Sequence, residues 1–290
     1  MKPPAFEYHV AGTVDEAVAL LAEHGDDAKV LAGGQSLVPL LALRLARPDY
    51  LVDINRLDEL ATVTNGDGLH IGALVRQRAV ERSVDVAGAN PLLTTAVGFI
   101  GHTAIRNRGT IGGSVVHGDP AAELPAVLVA LDGEVEVSSQ RGARRIAASE
   151  LYGGFLTTSV EPDELLTAVH LPAWPSGAGW SFLEFSRRSG DFALAGVAAM
   201  LRLDLSGTIA EARLALSGMD QTPVRASDAE ATLVGQRPSD DLWAAASTDA
   251  VVGLEPPSDL HGGSAYRRHL ASVLVRRALH EAHQRAEGSA

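Results

Sequence analysis

The chain has 290 residues, no cysteine, and a formal net charge of −12 from 36 acidic residues against 24 lysines and arginines. The lack of cysteine excludes disulfides, thiolate catalysis, cysteine-bound zinc and cysteine-ligated iron–sulfur clusters, and the negative charge disfavours bare nucleic acid and anionic membranes as partners. Without an apolar signal core at the start or a stretch of ~20 apolar residues, the sequence predicts a cytoplasmic protein with no membrane span.

Residues 1–57 predict a compact α/β unit that contains a glycine pair. Thr13–Glu16 has the pattern of a capping box at the start of a helix, and Gly25 is expected to end that helix. A strand leads directly into Gly33–Gly34, and Ser36 follows as the expected N-cap of the next helix. The other predicted elements of this unit are a helix over 37–45 and strands over 29–32 and 50–54.

Residues 58–175 predict a second α/β unit with another glycine pair. The segment Arg106–Ser114 is predicted to be a loop because glycines interrupt it. Pro120 is expected at the first position of an apolar helix, and Asp132-Gly133 is expected to turn the chain into a strand. The predicted elements are strands over 69–73, 134–138 and 165–171 and helices over 77–84, 91–100 and 121–130.

Residues 176–290 change in pattern after a segment rich in proline and glycine at 172–179. Three consecutive strands precede three helices, an order typical of an α+β domain. We therefore expect a three-stranded antiparallel sheet that carries helices. The predicted elements are strands over 180–187, 195–204 and 208–217 and helices over 228–234, 240–251 and 264–285.

The two glycine pairs carry the functional signal. They lie in Ala32–Ser36 and Thr110–Ser114, each with a hydroxyl residue and an apolar run beside it. Adjacent glycines let the backbone turn sharply and present N–H groups to an anion. Neither segment is a P-loop or a Rossmann fingerprint, and a glycine pair alone is more often an ordinary turn. Together they indicate a pyrophosphate held from two sides, as in a dinucleotide cofactor.

Four segments together resemble the FAD-binding medium subunit of the molybdenum hydroxylase family, which includes carbon monoxide dehydrogenase and xanthine dehydrogenase. They are Lys29–Leu37, Ile105–Ser114, Asp119–Leu124 and Phe185–Ala193, and their order and spacing match the family across nearly the whole chain. The resemblance implies an α+β protein: a two-subdomain FAD-binding domain of the vanillyl-alcohol-oxidase/PCMH type, followed by the C-terminal α+β domain.

The resemblance also implies cofactors and partners. FAD would be bound non-covalently by this chain, whereas molybdopterin and two [2Fe–2S] clusters would lie on a large and a small partner subunit, in a dimer of heterotrimers. Electrons would pass from the clusters through FAD to an external acceptor. The absence of cysteine agrees independently with clusters on another chain.

The resemblance further implies which residues contact FAD, while none is assigned a catalytic or metal-binding role. Both glycine segments would enclose the pyrophosphate, Glu123 would bind a cofactor hydroxyl where relatives usually have Asp, and Leu166 and Leu183 would flank the flavin ring. Ser114 replaces a more usual Asn, and Leu183 a residue that is sometimes Lys. The expected cofactor-binding residues are Val30, Leu31, Ala32, Gly33, Gly34, Gln35, Ser36, Leu37, Ile100, Gly101, Thr110, Ile111, Gly112, Gly113, Ser114, Glu123, Leu166 and Leu183.

Two other functions remain open from the residues alone. A self-sufficient FAD-dependent oxidoreductase of the same fold superfamily would bind its own substrate over the flavin, but the sequence shows no acid–base pair for that chemistry. An assembly subunit that has lost FAD is disfavoured because both glycine segments are intact. Arg106 and Arg108 are equally compatible with binding an anion and with pairing to acidic residues of a partner.

Overall fold

The computed structural model describes residues 2–288, whose three main sheets follow one another along the chain. The first stretch contains strands β1 (Glu7–Val10), β2 (Ala28–Leu31) and β3 (Tyr50–Asp53), helices α1 (Val14–His24) and α2 (Leu37–Leu43), and a 3₁₀ turn over Gly25–Asp27; a 3₁₀ turn over Asp58–Ala61 begins the second stretch. The three strands are parallel, in the order β1-β3-β2. Parallel neighbours need crossover connections, which α1 and α2 provide.

The ends of α1 form as the sequence predicts. The Thr13 hydroxyl accepts a hydrogen bond from the N–H of Glu16 at 3.1 Å, and the Glu16 carboxylate accepts one from the N–H of Gly12 at 2.7 Å. Gly25 ends the helix with a φ of +52°, a conformation that glycine adopts at little cost. Between these ends, the helix buries Leu21 in the apolar core of the first stretch.

The second stretch contains a five-stranded antiparallel sheet. Its strands are β4 (Val63–Asn65), β5 (Gly68–Gly72), β6 (Glu134–Ser139), β7 (Gly142–Ala147) and β10 (Leu165–Pro172), and a separate ribbon pairs β8 (Tyr152–Gly154) with β9 (Thr157–Thr158). Its helices are α3 (Gln77–Arg82), α4 (Val84–Ala89), α5 (Pro91–Val97), α6 (Thr103–Arg106), α7 (Ile111–His117), α8 (Glu123–Ala130) and α9 (Ala148–Leu151). The strand order is β4-β5-β10-β6-β7, and α5, α7 and α8 pack their apolar sides into the core with it.

The third stretch contains a four-stranded antiparallel sheet in the order β11-β12-β13-β14. Its strands are β11 (Gly179–Phe185), β12 (Ala195–Leu203), β13 (Ile209–Ser217) and β14 (Val224–Arg225), and its helices are α10 (Ser227–Leu233), α11 (Asp240–Asp249) and α12 (Ser264–Gly288). The three predicted strands are present, and the two-residue β14 makes the sheet one strand larger than predicted. A two-residue strand is too short to show an alternating pattern in the sequence.

The third sheet separates two apolar cores. Phe182 and Ala198 join the core of the second stretch, and the Phe182 ring lies 5.3 Å from that of Phe99. Val197 and Leu214 join the core beneath α10, α11 and α12 instead. Side chains alternate between the two faces of a strand. Successive residues of β11 therefore point in turn toward the core of the second stretch and toward the core beneath the C-terminal helices.

One predicted helix start is wrong, and a second, that of α2 at Leu37, is in the predicted place but lacks the predicted cap. Ser36 makes no side-chain capping hydrogen bond to α2. α8 begins at Glu123 rather than 121, so Pro120 lies in the turn before the helix. The Asp119 carboxylate accepts a hydrogen bond from the N–H of Ala121 at 2.9 Å, which stabilises that turn in place of a helical start.

None of the helices described between residues 2 and 288 has the length and apolar content to cross a membrane.

Candidate functional site

The first glycine segment offers a row of unused backbone donors. It connects β2 to α2, and Gly34 has a φ of +73°, which a residue with a side chain adopts only with strain. Within residues 2–288, the N–H groups of Gly33, Gly34, Gln35 and Ser36 have no hydrogen-bond acceptor. Such consecutive N–H groups form the kind of concave surface that binds phosphate oxygens.

The second glycine segment differs from its prediction because it is not a loop. Ile111 begins α7, and the Thr110 hydroxyl caps this helix by accepting a hydrogen bond from the N–H of Gly113 at 3.1 Å. The N–H groups of Ile111 and Gly112 donate to the carbonyls of Val75 and Ala73 at 3.0 Å each. The amides of this segment are therefore already engaged, unlike those of the first.

Close packing explains the glycines of the second segment. A Cβ atom on Gly112 would stand 2.7 Å from both Cα and Cβ of Ala73, just beyond β5. A Cβ atom on Gly113 would stand 2.6 Å from the Thr110 hydroxyl and 3.8 Å from Cβ of Ala32. The start of α7 therefore lies beside the first glycine segment, so the structure brings the two predicted segments together across the boundary between the first two sheets.

Positive charge lies behind this junction. The Arg76 guanidinium donates hydrogen bonds to the backbone carbonyl of Arg108 at 2.6 Å and to the Asn55 side chain at 2.8 Å. Burial and the nearby Arg108 guanidinium lower the pKa of Arg76, whereas Asp53 raises it. Since both hydrogen-bond acceptors of Arg76 are uncharged, the site retains a positive charge that suits an anion.

The remaining polar group of the second segment also fits a cofactor. The Ser114 hydroxyl is half-buried and has no hydrogen-bond partner within residues 2–288. Taken together, four unused amides, one unused hydroxyl and a guanidinium fit the oxygens of a pyrophosphate, whose negative charge they would neutralise.

Arg106 has neither of the two roles that the sequence left open. Its guanidinium binds both carboxylate oxygens of Glu81 at 2.8 and 3.0 Å and donates to the carbonyls of Ile100 and Gly101 at 2.8 and 3.2 Å. The side chain is buried. Arg106 therefore holds the chain at Ile100 and Gly101 in place, two residues that the resemblance puts near the cofactor.

Ile100 and Gly101 lie where the second stretch meets the third sheet. Their neighbour Phe99 contacts Phe182 of β11, and a Cβ atom on Gly190 would stand 2.7 Å from Nδ1 of His102. Segment 99–102 thus packs against both β11 and the loop that follows it.

Two acidic side chains with raised pKa values lie near the same junction. Burial raises the pKa of Glu123 to about 8, and the negative charges of Glu184 and Asp119 add to the effect. Burial raises the pKa of Glu184 to about 7. At pH 7 the Glu123 carboxyl is therefore mostly protonated and that of Glu184 about half protonated, and a protonated carboxyl can donate as well as accept hydrogen bonds.

Glu184 has a second unusual feature. It pairs in register with Gly196, and Gly196 pairs with Ser217, so the three residues form a row across β11, β12 and β13. Oε2 of Glu184 and Oγ of Ser217 are buried without a hydrogen-bond partner within the described chain. Buried polar atoms are normally paired, so these two oxygens are exceptions to that rule.

The two leucines expected beside the flavin ring lie in apolar cores. Leu166 on β10 is buried in the core of the second stretch. Leu183 on β11 packs against the core beneath the C-terminal helices. Glu184, the next residue, therefore presents its side chain on the same face of β11 as Phe182, toward the second stretch.

Comparison with known proteins identifies the family. Residues 4–174 match the FAD binding domain in molybdopterin dehydrogenase, and residues 180–282 match the CO dehydrogenase flavoprotein C-terminal domain. The chain is 45% identical over 287 residues to the 6-hydroxypseudooxynicotine dehydrogenase complex subunit alpha of Paenarthrobacter nicotinovorans, covering 99% of this chain and 97% of that protein. It is 37% identical to the carbon monoxide dehydrogenase medium chain of Hydrogenophaga pseudoflava, covering 97% and 98%.

The fold agrees with the sequence comparison. A solved structure of the carbon monoxide dehydrogenase of Hydrogenophaga pseudoflava superposes with a TM-score of 0.96 at 39% identity, covering 98% of this chain and 99% of that one. The chain therefore belongs to the FAD-binding medium subunits of the molybdenum hydroxylase family, as the sequence motifs predict. It is an oxidoreductase flavoprotein subunit with an FAD-binding domain and a C-terminal domain, and its relatives are subunits of multi-subunit complexes.

Proposed function

We propose that this chain binds one FAD non-covalently, through the unused amides of the first glycine segment, and passes electrons between partner subunits and an external acceptor. The observation that carries the proposal is the row of four N–H groups from Gly33 to Ser36, which have no acceptor within the described residues. A bound flavin accepts and releases electrons, and the protein supplies binding, orientation and electrostatics.

The second segment has a different part in this proposal. The Ser114 hydroxyl donates a hydrogen bond to the pyrophosphate. Ile111, Gly112 and Gly113 keep α7 close to the first segment, so that Thr110 and the first segment face the same ligand. On the other side of the pyrophosphate, the contact runs from Val30 to Leu37, which is the first glycine segment with its flanking residues. Support comes from the close packing of Gly112 on Ala73 and from the position of Gly113, where an added Cβ atom would be in van der Waals contact with Ala32.

The flavin end of the cofactor is assigned to the junction with the third sheet. Glu123 binds a cofactor hydroxyl, and Ile100 and Gly101 border the cofactor. Leu166 and Leu183 support the flavin from the two cores in which they pack. We place the unit boundaries at 57/58 and 175/176, in the connections between the three sheets.

The complex contains a large molybdopterin-binding subunit and a small subunit with two [2Fe–2S] clusters, as a dimer of heterotrimers in the cytoplasm. Support comes from the relatives, which are medium or alpha chains of complexes, and from the absence of cysteine. An electron-transfer flavin without a substrate site of its own must lie close to a cluster on another chain.

The test is purification of the chain followed by acid precipitation. We expect a yellow supernatant that chromatographs as FAD at one equivalent per chain. We also expect the isolated flavoprotein to remain oxidised with any hydroxylatable substrate until both partner subunits are added. Finding only FMN, or no flavin after reconstitution, contradicts the cofactor; substrate turnover by the chain alone makes it a self-sufficient oxidoreductase instead.

A further inference from the structure

Asn55 lies directly behind the first glycine segment. It follows β3, and its side-chain amide donates hydrogen bonds to the carbonyls of Ala32 at 2.8 Å and Leu31 at 3.3 Å. The same amide group and the backbone N–H of Asn55 bind Oδ1 of Asp53 at 2.6 and 2.8 Å. Asn55 therefore holds the backbone immediately before Gly33 from the side opposite to the unused amides.

Arg76 connects Asn55 to the second unit. It lies between β5 and α3, and its guanidinium spans from Oδ1 of Asn55 at 2.8 Å to the carbonyl oxygen of Arg108 at 2.6 Å. That carbonyl is the group against which Gly33 packs, since a Cβ atom on Gly33 would overlap it. The contacts thus form a closed ring through Ala32, Asn55, Arg76, Arg108 and Gly33.

We propose that Asn55 and Arg76 are positioning residues for FAD: together they form a clamp, the Asn55–Arg76 clamp, that sets the distance between the two glycine segments. The inference rests on the proposed function, because the ligand positioned is the FAD pyrophosphate. The clamp orders the amides of Gly33–Ser36 before the cofactor arrives, so less of the binding free energy is lost in ordering them.

The clamp is not what holds the two units together. Their shared core contains Leu60, Leu74 and Leu165 from the second stretch, packed with Leu21 and Val52 from the first. Apolar burial of this kind dominates the stability of such a contact. Loss of two or three hydrogen bonds at the edge of this core should therefore leave the fold in place while the glycine segments separate.

Charge is a second contribution that the experiment must distinguish from geometry. Asp53, the carboxylate nearest in sequence to Asn55, already accepts hydrogen bonds from the Tyr8 hydroxyl and from Asn55. These two partners are uncharged and leave Asp53 negatively charged, so Asp53 offsets part of the positive charge that Arg76 places near the phosphate-binding amides. A lysine at position 76 retains that charge but has one nitrogen, which cannot span two acceptors as a guanidinium does.

The test measures FAD affinity and apoprotein stability for Asn55→Ala, Arg76→Ala, Arg76→Lys and the double alanine variant of the full chain. The control is Arg144→Ala, which removes an arginine that also bridges a side chain and a backbone carbonyl, those of Glu164 and Ser159. FAD dissociation constants come from flavin fluorescence, and melting temperatures come from apoprotein without FAD.

We expect each single alanine variant to weaken FAD binding by about tenfold, the effect of losing one or two hydrogen bonds. The double variant should bind no more weakly than either single variant, because the two residues act as one unit. Arg76→Lys should lose as much affinity as Arg76→Ala, and the control should bind FAD like the wild type.

Three results would overturn the clamp. The first is wild-type affinity in the alanine variants. The second is a fall in apoprotein melting temperature large enough to account for the lost affinity. The third is full affinity in Arg76→Lys, which would assign the effect to charge alone. If the wild-type chain itself binds no FAD, the proposed function fails rather than the clamp.

Discussion

The backbone of Gly33 lies against the carbonyl of Arg108 so closely that a Cβ atom on Gly33 would overlap its oxygen and stand 2.9 Å from Cα of Gly109. Because both contacts are with backbone, no side-chain rotation can relieve them. The glycine is therefore required by the approach of one unit to the other, whereas the sequence suggested that it keeps the backbone open to phosphate.

We predict that Gly33→Ala separates the two glycine segments and weakens FAD binding. An overpacked contact costs about 1–3 kcal/mol, which corresponds to roughly 5- to 150-fold in the dissociation constant. The measurement is the FAD content of the purified variant, with Gly88→Ala in α4 as the control, since a Cβ atom there meets nothing within 4 Å. Full FAD occupancy in Gly33→Ala would show that this contact does not set the site.

Gly34→Ala tests mainly backbone conformation, because the Cβ atom would meet only the ends of movable side chains, Cγ2 of Val38 at 3.2 Å and Cδ1 of Leu31 at 3.3 Å. The Gly34 φ of +73° is left-handed, and a side chain in that region costs about 1–2 kcal/mol. Gly25→Ala is the matched control, because Gly25 has a φ of +52° and open space around it. We expect both variants to melt at a lower temperature but only Gly34→Ala to lose FAD. Equal FAD content in the two variants would contradict a role for Gly34 in the site.

Regular patterning explains how much of the fold the sequence could predict. Long alternating or helical segments such as β12, β13 and α12 are predicted within a few residues. β7 was missed because four of its six residues are exposed and only Ile146 is fully buried, so it has no alternating apolar pattern. The second glycine segment was predicted to be a loop because glycine disfavours helices, but the Thr110 cap and packing on Ala73 outweigh that preference.

The candidate site was predictable only where its chemistry is local in sequence. The glycine pairs are visible as motifs, whereas Asn55 and Arg76 are single polar residues whose meeting depends on how two units pack. The resemblance points to Leu183 on β11, which packs against the core beneath the C-terminal helices, whereas the neighbouring Glu184 shares the face of β11 on which Phe182 meets the second stretch. A shift of one residue along a strand reverses the face, and no pattern in a single sequence reveals which residue faces a cofactor.

The buried ion pair between Arg106 and Glu81 should stabilise the chain. We predict that Arg106→Met lowers the free energy of unfolding by about 3 kcal/mol, the lower end for breaking a buried pair, because Arg78 still pairs with Glu81 at 2.8 Å. Urea denaturation of the apoprotein measures the loss. The control, Arg145→Met, breaks an exposed pair with Glu134 and should cost less than ~1 kcal/mol. Equal losses in the two variants would contradict the structural role of Arg106.

The same pair gives a dependence on low pH. The hydrogen bonds that the Glu81 carboxylate accepts from Arg106, and then those it accepts from Arg78, lower the pKa of Glu81 from its usual value of 4.5. The stabilisation is therefore present above pH 4.5 and is lost as the pH falls through the lowered value. We expect the difference in unfolding free energy between the wild type and Arg106→Met to shrink below pH 4. A difference that stays constant down to pH 3 would show that packing, not charge, accounts for it.

Glu123 and Glu184 should give the opposite dependence, at higher pH. Their pKa values in the folded chain are about 8 and about 7, against the usual 4.5. Between pH 4.5 and 8 the unfolded chain releases protons that the folded chain retains, so stability falls as pH rises through this window. We predict that Glu123→Gln melts near the wild-type temperature at pH 5 and above it at pH 8.5. Exposed Glu150→Gln is the control, and a Glu123→Gln variant that shows no gain at pH 8.5 would contradict burial of the Glu123 carboxyl.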